Sequence, residues 1–234
     1  MSSESASAGS TGAPAAKPRS ECPAMTERPI LFSGAMVRAI LEGRKTVTRR
    51  VVKPCRHPFG RMLTAEEVAA EFNGGTCAVL CPYGQPGERL WVRETFNRSN
   101  PGGAEGVYYY RADGQFPVAM GGNRFYGNEA WKPSIHMPRA ACRILLEITA
   151  VRVERLQDIS EQQARAEGIH SYPHQWRDCE YPLPDVAYEA VVGSKRRYSH
   201  PADAFRELWE TINGADSWNA NPWVWVVEFK RVTP

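Results

Sequence analysis

The chain has 234 residues, of which 42% are hydrophobic and 24% charged, and its formal net charge is +3. These values are ordinary for a globular protein and allow one domain with insertions or two small domains. No apolar run approaches the roughly 18 residues of a membrane-spanning helix, and no signal-peptide core follows the N-terminus. The six cysteines are scattered, so we expect reduced thiols in a cytoplasmic protein that does not bind a membrane.

The N-terminal part of the chain differs in composition from the rest. Residues 1–24 are rich in Ser, Ala, Gly and Pro and lack apolar periodicity, which predicts a disordered tail. We expect a single domain over residues 25–234. Two loop-rich insertions interrupt it, one near residues 53–82 and one near residues 170–198.

The first predicted elements are a strand over residues 30–32, a helix over residues 36–41 and a second strand that begins near residue 46. Ser33 is placed to cap the first turn of the helix, and Gly43 to end it, because glycine enters the left-handed conformation without steric cost. The β-branched run that follows is typical of a strand.

Later segments continue this mixed pattern. Strands are predicted near residues 89–96, 107–111, 143–156 and 223–229, the third with a bulge or bend near residues 149–150. Helices are predicted after Ser160, which forms a capping box with Gln163, and from Pro201 onward. Because regular β-α-β alternation is missing, we expect an α+β fold: a small, closed or nearly closed mixed β-barrel with flanking helices.

A dense basic stretch lies between the first helix and the following strand. Residues 38–56 contain seven basic residues and one acid, and the basic residues considered for binding are Arg44, Lys45, Arg49, Arg50 and Lys53. Such a patch favours phosphate or another anion, which predicts RNA or single-stranded nucleic acid as a partner. A solvated basic face is the alternative interpretation.

The same stretch holds groups for amide hydrolysis. Thr48 is a possible nucleophile, although a hydroxyl needs an adjacent base. Lys45 can serve as that base if burial lowers its pKa, and Arg50 can hold a phosphate or an oxyanion. The alternative is that Lys45 covers the C-terminus of the first helix and Thr48 is an ordinary strand residue.

Three segments resemble the ASCH domain (activating signal cointegrator homology), a family with a PUA-like β-barrel. They are the Gly-Arg-Lys-Thr-Val-Thr-Arg-Arg string at residues 43–50, the Pro-Gly-Glu-Arg-Leu-Trp-Val string at residues 86–92, and the closing strand at residues 225–229. Residue 88 is Glu where the family usually has Asp. The resemblance covers roughly residues 25–233 with insertions and is closest to longer phage-type members.

The resemblance implies binding of RNA or of a modified nucleoside, without a cofactor or a metal. Some small members are amidohydrolases that deacetylate 4-acetylcytidine with a Lys, a Thr and a Glu. By motif these correspond to Lys45, Thr48 and Glu167, with Glu161 as the competing carboxylate. Two non-catalytic alternatives stay open: a nucleic-acid-binding module, or a phage accessory protein whose insertions bind a partner.

Weaker signals come from other segments. Thr46 and the rigid loop containing Trp131 and His136 are further candidates for substrate or nucleic-acid binding, with Trp131 stacking on a base or packing in the core. Cys77 and Cys81 leave a metal site open, but their spacing does not match a paired zinc motif.

Overall fold

The computed structural model describes residues 26–75, 80–99, 107–114, 131–173, 186–192 and 196–233. The predicted tail over residues 1–24 lies outside this set. No helix in the described ranges is long and apolar enough to cross a membrane.

Helices and strands both contribute to the described chain, which confirms the α+β class. The helices are Gly34–Leu41 (α1), Ala65–Asn73 (α2), Glu161–Ala166 (α3) and Pro201–Asn213 (α4). The strands are Glu27–Leu31 (β1), Val47–Val51 (β2), Cys55–Arg56 (β3), Met62–Leu63 (β4), Arg89–Arg93 (β5), Phe96–Ser99 (β6), Val107–Tyr110 (β7), Leu145–Arg155 (β8), His170–Pro173 (β9), Val186–Glu189 (β10) and Trp223–Val232 (β11).

Five strands form the main sheet in the order β1-β5-β8-β11-β2. The β1–β5 pair is parallel and the other three pairs are antiparallel. The hydrogen-bonded strands of the described chain do not close into a barrel, because β1 and β2 remain edges. A side chain nevertheless links these edges: Arg50 Nη2 on β2 donates to the carbonyl oxygen of Leu31 on β1 at 2.7 Å.

The sheet carries a hydrophobic core on each face. Along β11, Trp225, Val227 and Phe229 pack into one core with β5 and α1, whereas Val224 and Val226 pack into a second core with α3 and α4. Side chains of a strand alternate between faces, so one apolar strand can serve both cores. This arrangement brings α3 and α4 over the face that β11 shares with β2.

Local sequence signals set the ends of the helices as predicted. The Ser33 side chain accepts from the backbone N–H of Met36, and Gly43 has a φ of +76° after α1. Ser160 and Gln163 form a reciprocal capping box that begins α3. These groups satisfy backbone donors that a helix end leaves without partners.

The bulge predicted near residues 149–150 is confirmed. Glu228 pairs with Ala150 and Phe229 with Ile148, so Thr149 is an extra residue in β8. An extra residue bends the strand and increases its local twist.

The two predicted insertions contain more regular structure than expected. The first includes the β3–β4 pair, and the described parts of the second include the antiparallel β9–β10 pair. The first also includes α2, a helix that the capping-box spacing of Thr64 and Glu67 does predict from the sequence. The interpretation of residues 170–198 as irregular is therefore wrong for residues 170–173 and 186–189. Strands of two to four residues are too short to show a clear alternating pattern in the sequence.

Candidate functional site

The backbone brings Lys45 and Glu167 into direct register, although 122 positions separate them. They form an antiparallel β-bridge, and the N–H of Thr46 donates to the carbonyl oxygen of Ala166 at 2.8 Å. Gly168 permits this approach. A Cβ at its position would lie 2.9 Å from the Cβ of Ala39 and 3.0 Å from that of Lys45, and its φ is +96°. The juxtaposition is therefore built into the main chain rather than into flexible side chains.

The Lys45 ammonium is completely enclosed. Its Nζ donates to Glu167 Oε2 at 2.6 Å, to the Glu167 carbonyl oxygen at 2.9 Å and to the Val47 carbonyl oxygen at 2.8 Å. Burial lowers the pKa of Lys45 because it disfavours the charged form, and the neighbouring Glu167 carboxylate opposes this shift. All three ammonium donors are occupied, so Lys45 is held toward Glu167.

Arg49 completes the charge arrangement around Glu167. Its Nη1 lies 3.2 Å from Glu167 Oε1, and its Nη2 donates to Glu154 at 2.6 Å and to Gln163 at 3.0 Å. The Arg49 side chain is 0% exposed. Both oxygens of the Glu167 carboxylate therefore face a cation, which fixes their orientation.

A cleft with a volume of about 440 Å³ opens between β2, α1 and α4. This is a size typical of small-molecule sites. Its polar lining consists of Thr48, Arg49, Arg50, Lys53, Tyr83, Glu167 and Asn213. Its apolar lining consists of Met36, Val51, Phe205, Leu208, Trp209 and Ile212.

Thr48 and Glu167 both line this cleft, whereas Lys45 is absent from its described lining. Thr48 is 2% exposed, and its hydroxyl forms no hydrogen bond within the described part of the chain. The hydroxyl is therefore not engaged by the fold. Glu167 is the group that contacts Lys45 on one side and the cleft on the other.

The remaining predicted residues divide into two sets. Arg50 and Lys53 line the cleft with Arg49. Four other candidates are absent from its described lining: Arg44, Thr46, Trp131 and His136. Arg44 instead pairs with Glu42 at 2.5 Å and donates to the carbonyl oxygen of Gly168 at 2.6 Å.

Of the two candidate carboxylates, Glu167 lines the described cleft and Glu161 does not. Glu161 begins α3 with its side chain 54% exposed, and it contacts His200 and Arg165 at the surface. Glu167 follows the last turn of the same helix and is buried.

Several residues in or beside the cleft have no sequence pattern that indicates a functional role. Trp209 and Phe205 have the helical spacing of core residues, and they do pack in the second core while also lining the cleft. Tyr83 lies in a turn-rich segment. Gln163 was recognised only as a helix cap, yet its Oε1 accepts from both Ser160 N and Arg49 Nη2. A capping residue that also contacts an arginine 114 positions away leaves no local pattern.

Metal ligation has little basis in the part of the chain described here. No cluster of three or more His, Cys, Asp or Glu side chains with metal-binding geometry occurs among these residues. Cys81 is buried, and burial raises the pKa of its thiol to about 11. Cys77 lies outside the described residues.

No family model, curated protein or solved structure matches the chain. The assignment of a function therefore depends on the cleft and on the residues that line it.

Proposed function

We propose that the chain is an ASCH-type, PUA-like protein that hydrolyses the N4-acyl amide of an acylated cytidine in the cleft between β2 and α4. One observation carries this proposal: Thr48 and Glu167 line one cleft, and the Glu167 carboxylate lies 2.6 Å from the buried Lys45 ammonium. A hydroxyl, a carboxylate and a lysine of lowered pKa supply a nucleophile and groups for proton transfer.

In the proposed reaction, the Thr48 oxygen attacks the acyl carbon and its proton passes to Glu167. The C–N4 bond then breaks, and the amine of cytidine leaves with that proton. Water hydrolyses the acyl-threonine ester, which releases the carboxylic acid and restores the hydroxyl. Glu167 rather than Lys45 meets the substrate, because Lys45 does not line the cleft. Lys45 orients the carboxylate and exchanges protons with it.

The cleft also has the parts needed to hold the acyl oxygen and the base. Arg50 lines it with a guanidinium donor suited to a developing oxyanion, since it forms no ion pair within the described ranges. Trp209 and Tyr83 replace Trp131 as the aromatic side chains available for contact with a pyrimidine ring. Pure nucleic-acid binding is less well supported, because the side chain of Arg49 is 0% exposed and ion-paired.

The test is turnover of 4-acetylcytidine, followed as release of cytidine by chromatography. Thr48→Ala and Glu167→Gln should each lower kcat by at least about a hundredfold while substrate binding persists, because each removes a group of the reacting centre. Thr211→Ala and Glu161→Gln are matched controls on exposed positions and should retain the wild-type rate. Absence of turnover on a panel of N4-acylated cytidines would reject hydrolysis.

A further inference from the structure

The cleft carries positive charge that the described part of the chain does not neutralise. Arg50 and Lys53 line it, and neither side chain forms an ion pair within the described ranges. Glu167 is the only carboxylate in the described lining, and its two oxygens already face Lys45 and Arg49. A ligand in this cleft therefore meets cations without a competing free carboxylate.

The Arg50 side chain is held in place by one hydrogen bond and one ring contact, and its charge has no ion-pair partner among the described residues. Its Nη2 donates to the Leu31 carbonyl oxygen at 2.7 Å, and its guanidinium lies 5.4 Å from the centre of the Phe32 ring. Its Nε is buried and has no hydrogen-bond partner. A guanidinium fixed in this way loses little conformational entropy when it binds an anion.

Three other side chains of the cleft lining, Tyr83, Arg49 and Trp209, each carry a donor without an acceptor among the described residues. The hydroxyl of Tyr83 forms no hydrogen bond with the described residues, and the buried Nε of Arg49 and Nε1 of Trp209 have no partner. Burial raises the pKa of Tyr83, so its hydroxyl keeps its proton and can donate at neutral pH. A lining rich in unpaired donors is suited to a ligand rich in acceptors.

We infer that Arg50, Lys53 and Tyr83 form a phosphate subsite, so that the cleft accepts a phosphorylated cytidine nucleotide in preference to the free nucleoside. A phosphate offers several oxygens that accept charge-assisted hydrogen bonds, and a planar guanidinium can bind two of them. This subsite rests on the proposed function only for the identity of the base. Its phosphate preference is a separate property that binding alone can measure.

The experiment is calorimetric titration of the full chain with cytidine and with cytidine 5′-monophosphate, and with the matched pairs for uridine, adenosine and guanosine. The monophosphate of at least one base should bind about tenfold or more tightly than its nucleoside, and the difference should shrink as salt is raised. A single-stranded oligocytidylate arm tells whether the phosphate comes from a mononucleotide or from a strand. A strand that binds when no mononucleotide does would assign the subsite to nucleic acid.

Lys53→Ala is the informative variant, because Lys53 is exposed and its loss does not threaten the fold. It should remove most of the preference for the monophosphate, and Lys53→Arg should restore it. Lys230→Ala is the matched control, since Lys230 is exposed and pairs with Glu147 away from the cleft lining. Equal binding of nucleosides and their phosphates, an unchanged preference in Lys53→Ala, or no binding of any phosphorylated ligand would overturn the subsite. Phosphate preference without turnover of acylated cytidine would instead reject only the proposed hydrolysis.

Discussion

Two buried carboxylates, Glu167 and Glu94, are clamped by cations in different regions of the molecule. The Glu167 cluster consists of Lys45, Arg49, Glu154 and Glu167, and the Glu94 cluster consists of Glu94, Tyr110, Asp113 and Arg143. Arg143 binds Glu94 through two parallel contacts, Nε to Oε1 at 2.8 Å and Nη2 to Oε2 at 2.9 Å. Arg143 also donates to Asp113 at 2.7 Å and lies 3.9 Å from the centre of the Tyr110 ring.

The two clusters differ in access and in charge. In the Glu94 cluster one arginine, 26% exposed, occupies both carboxylate oxygens, and Glu94 does not line the cleft. In the Glu167 cluster two cations with 0% exposure share the carboxylate, and the carboxylate lines the cleft. Burial and ion pairing therefore occur in both clusters. The Glu167 cluster differs in that its carboxylate lines the cleft together with Thr48, whose hydroxyl forms no hydrogen bond among the described residues.

The largest expected difference between the two clusters is in the stability lost when each carboxylate is removed. Glu167→Ala leaves the enclosed Lys45 ammonium without its carboxylate, and breaking a buried pair in this way costs about 3–5 kcal/mol of unfolding free energy. Glu94→Ala should cost less, about 1–3 kcal/mol, because Arg143 retains Asp113 and reaches solvent. Denaturant unfolding of both variants measures the difference.

A double variant sharpens this prediction. Lys45→Met combined with Glu167→Leu should recover much of the stability lost in Glu167→Ala, because apolar replacements of both partners leave no buried charge in the pair. Equal losses in Glu167→Ala and Glu94→Ala would show that enclosure of the cations does not separate the two clusters.

Short-range features of the fold were predictable from the sequence. Gly43, the Ser160–Gln163 capping box and the extra residue at Thr149 each follow from signals within a few residues. The sheet order was not predictable, because β1 pairs with β5 across a long intervening segment. The mixture of elements predicts a closed or nearly closed barrel, but it does not determine whether the edge strands pair.

The site was predictable only in part. Lys45, Thr48 and Glu167 were grouped through the family resemblance, and the structure brings Lys45 to Glu167 and places Thr48 and Glu167 in one cleft. The burial of Arg49 could not be predicted, because its acidic partners lie 105 and 118 positions away. A run of basic residues in sequence therefore overstates the basic surface in the fold.

A smaller effect should separate the capping boxes of α3 and α2. Gln163→Ala should lower stability by about 1 kcal/mol, and it should also lower kcat about tenfold, because Gln163 helps to hold Arg49 against Glu167. Glu67 has the same position in the capping box of α2, but its side chain accepts from the exposed Arg61 and not from a residue of the described cleft lining. Glu67→Ala should therefore cost similar stability and leave turnover unchanged. Identical effects of the two variants on kcat would assign Gln163 a purely structural role.

The smallest expected effect is a pH dependence of stability that originates in the Glu94 cluster. Burial raises the pKa of Glu94 above its ordinary value of 4.5, and the Arg143 guanidinium opposes this shift. Between the pKa of Glu94 in the unfolded chain, about 4.5, and its raised pKa in the folded protein, the folded state binds more protons at Glu94 than the unfolded chain does. The contribution of Glu94 to the unfolding free energy is therefore full below about pH 4.5 and is lost as the pH rises through the raised pKa.

Glu27 provides a control of opposite sign, because its hydrogen bond with Arg139 lowers the pKa of its carboxyl. Its contribution is present above its ordinary pKa and is lost as the pH falls through the lowered value. We expect the unfolding free energy of the wild type minus that of Glu94→Gln to fall as the pH rises from about 4.5 through the raised pKa of Glu94, and the corresponding difference for Glu27→Gln to rise with pH through the lowered pKa of Glu27. Denaturant titrations across this range measure both. If the values for Glu94→Gln and Glu27→Gln change in the same direction with pH, the Glu94 site does not favour the neutral carboxyl. The Glu94 and Glu167 clusters would then differ only in their access to the cleft.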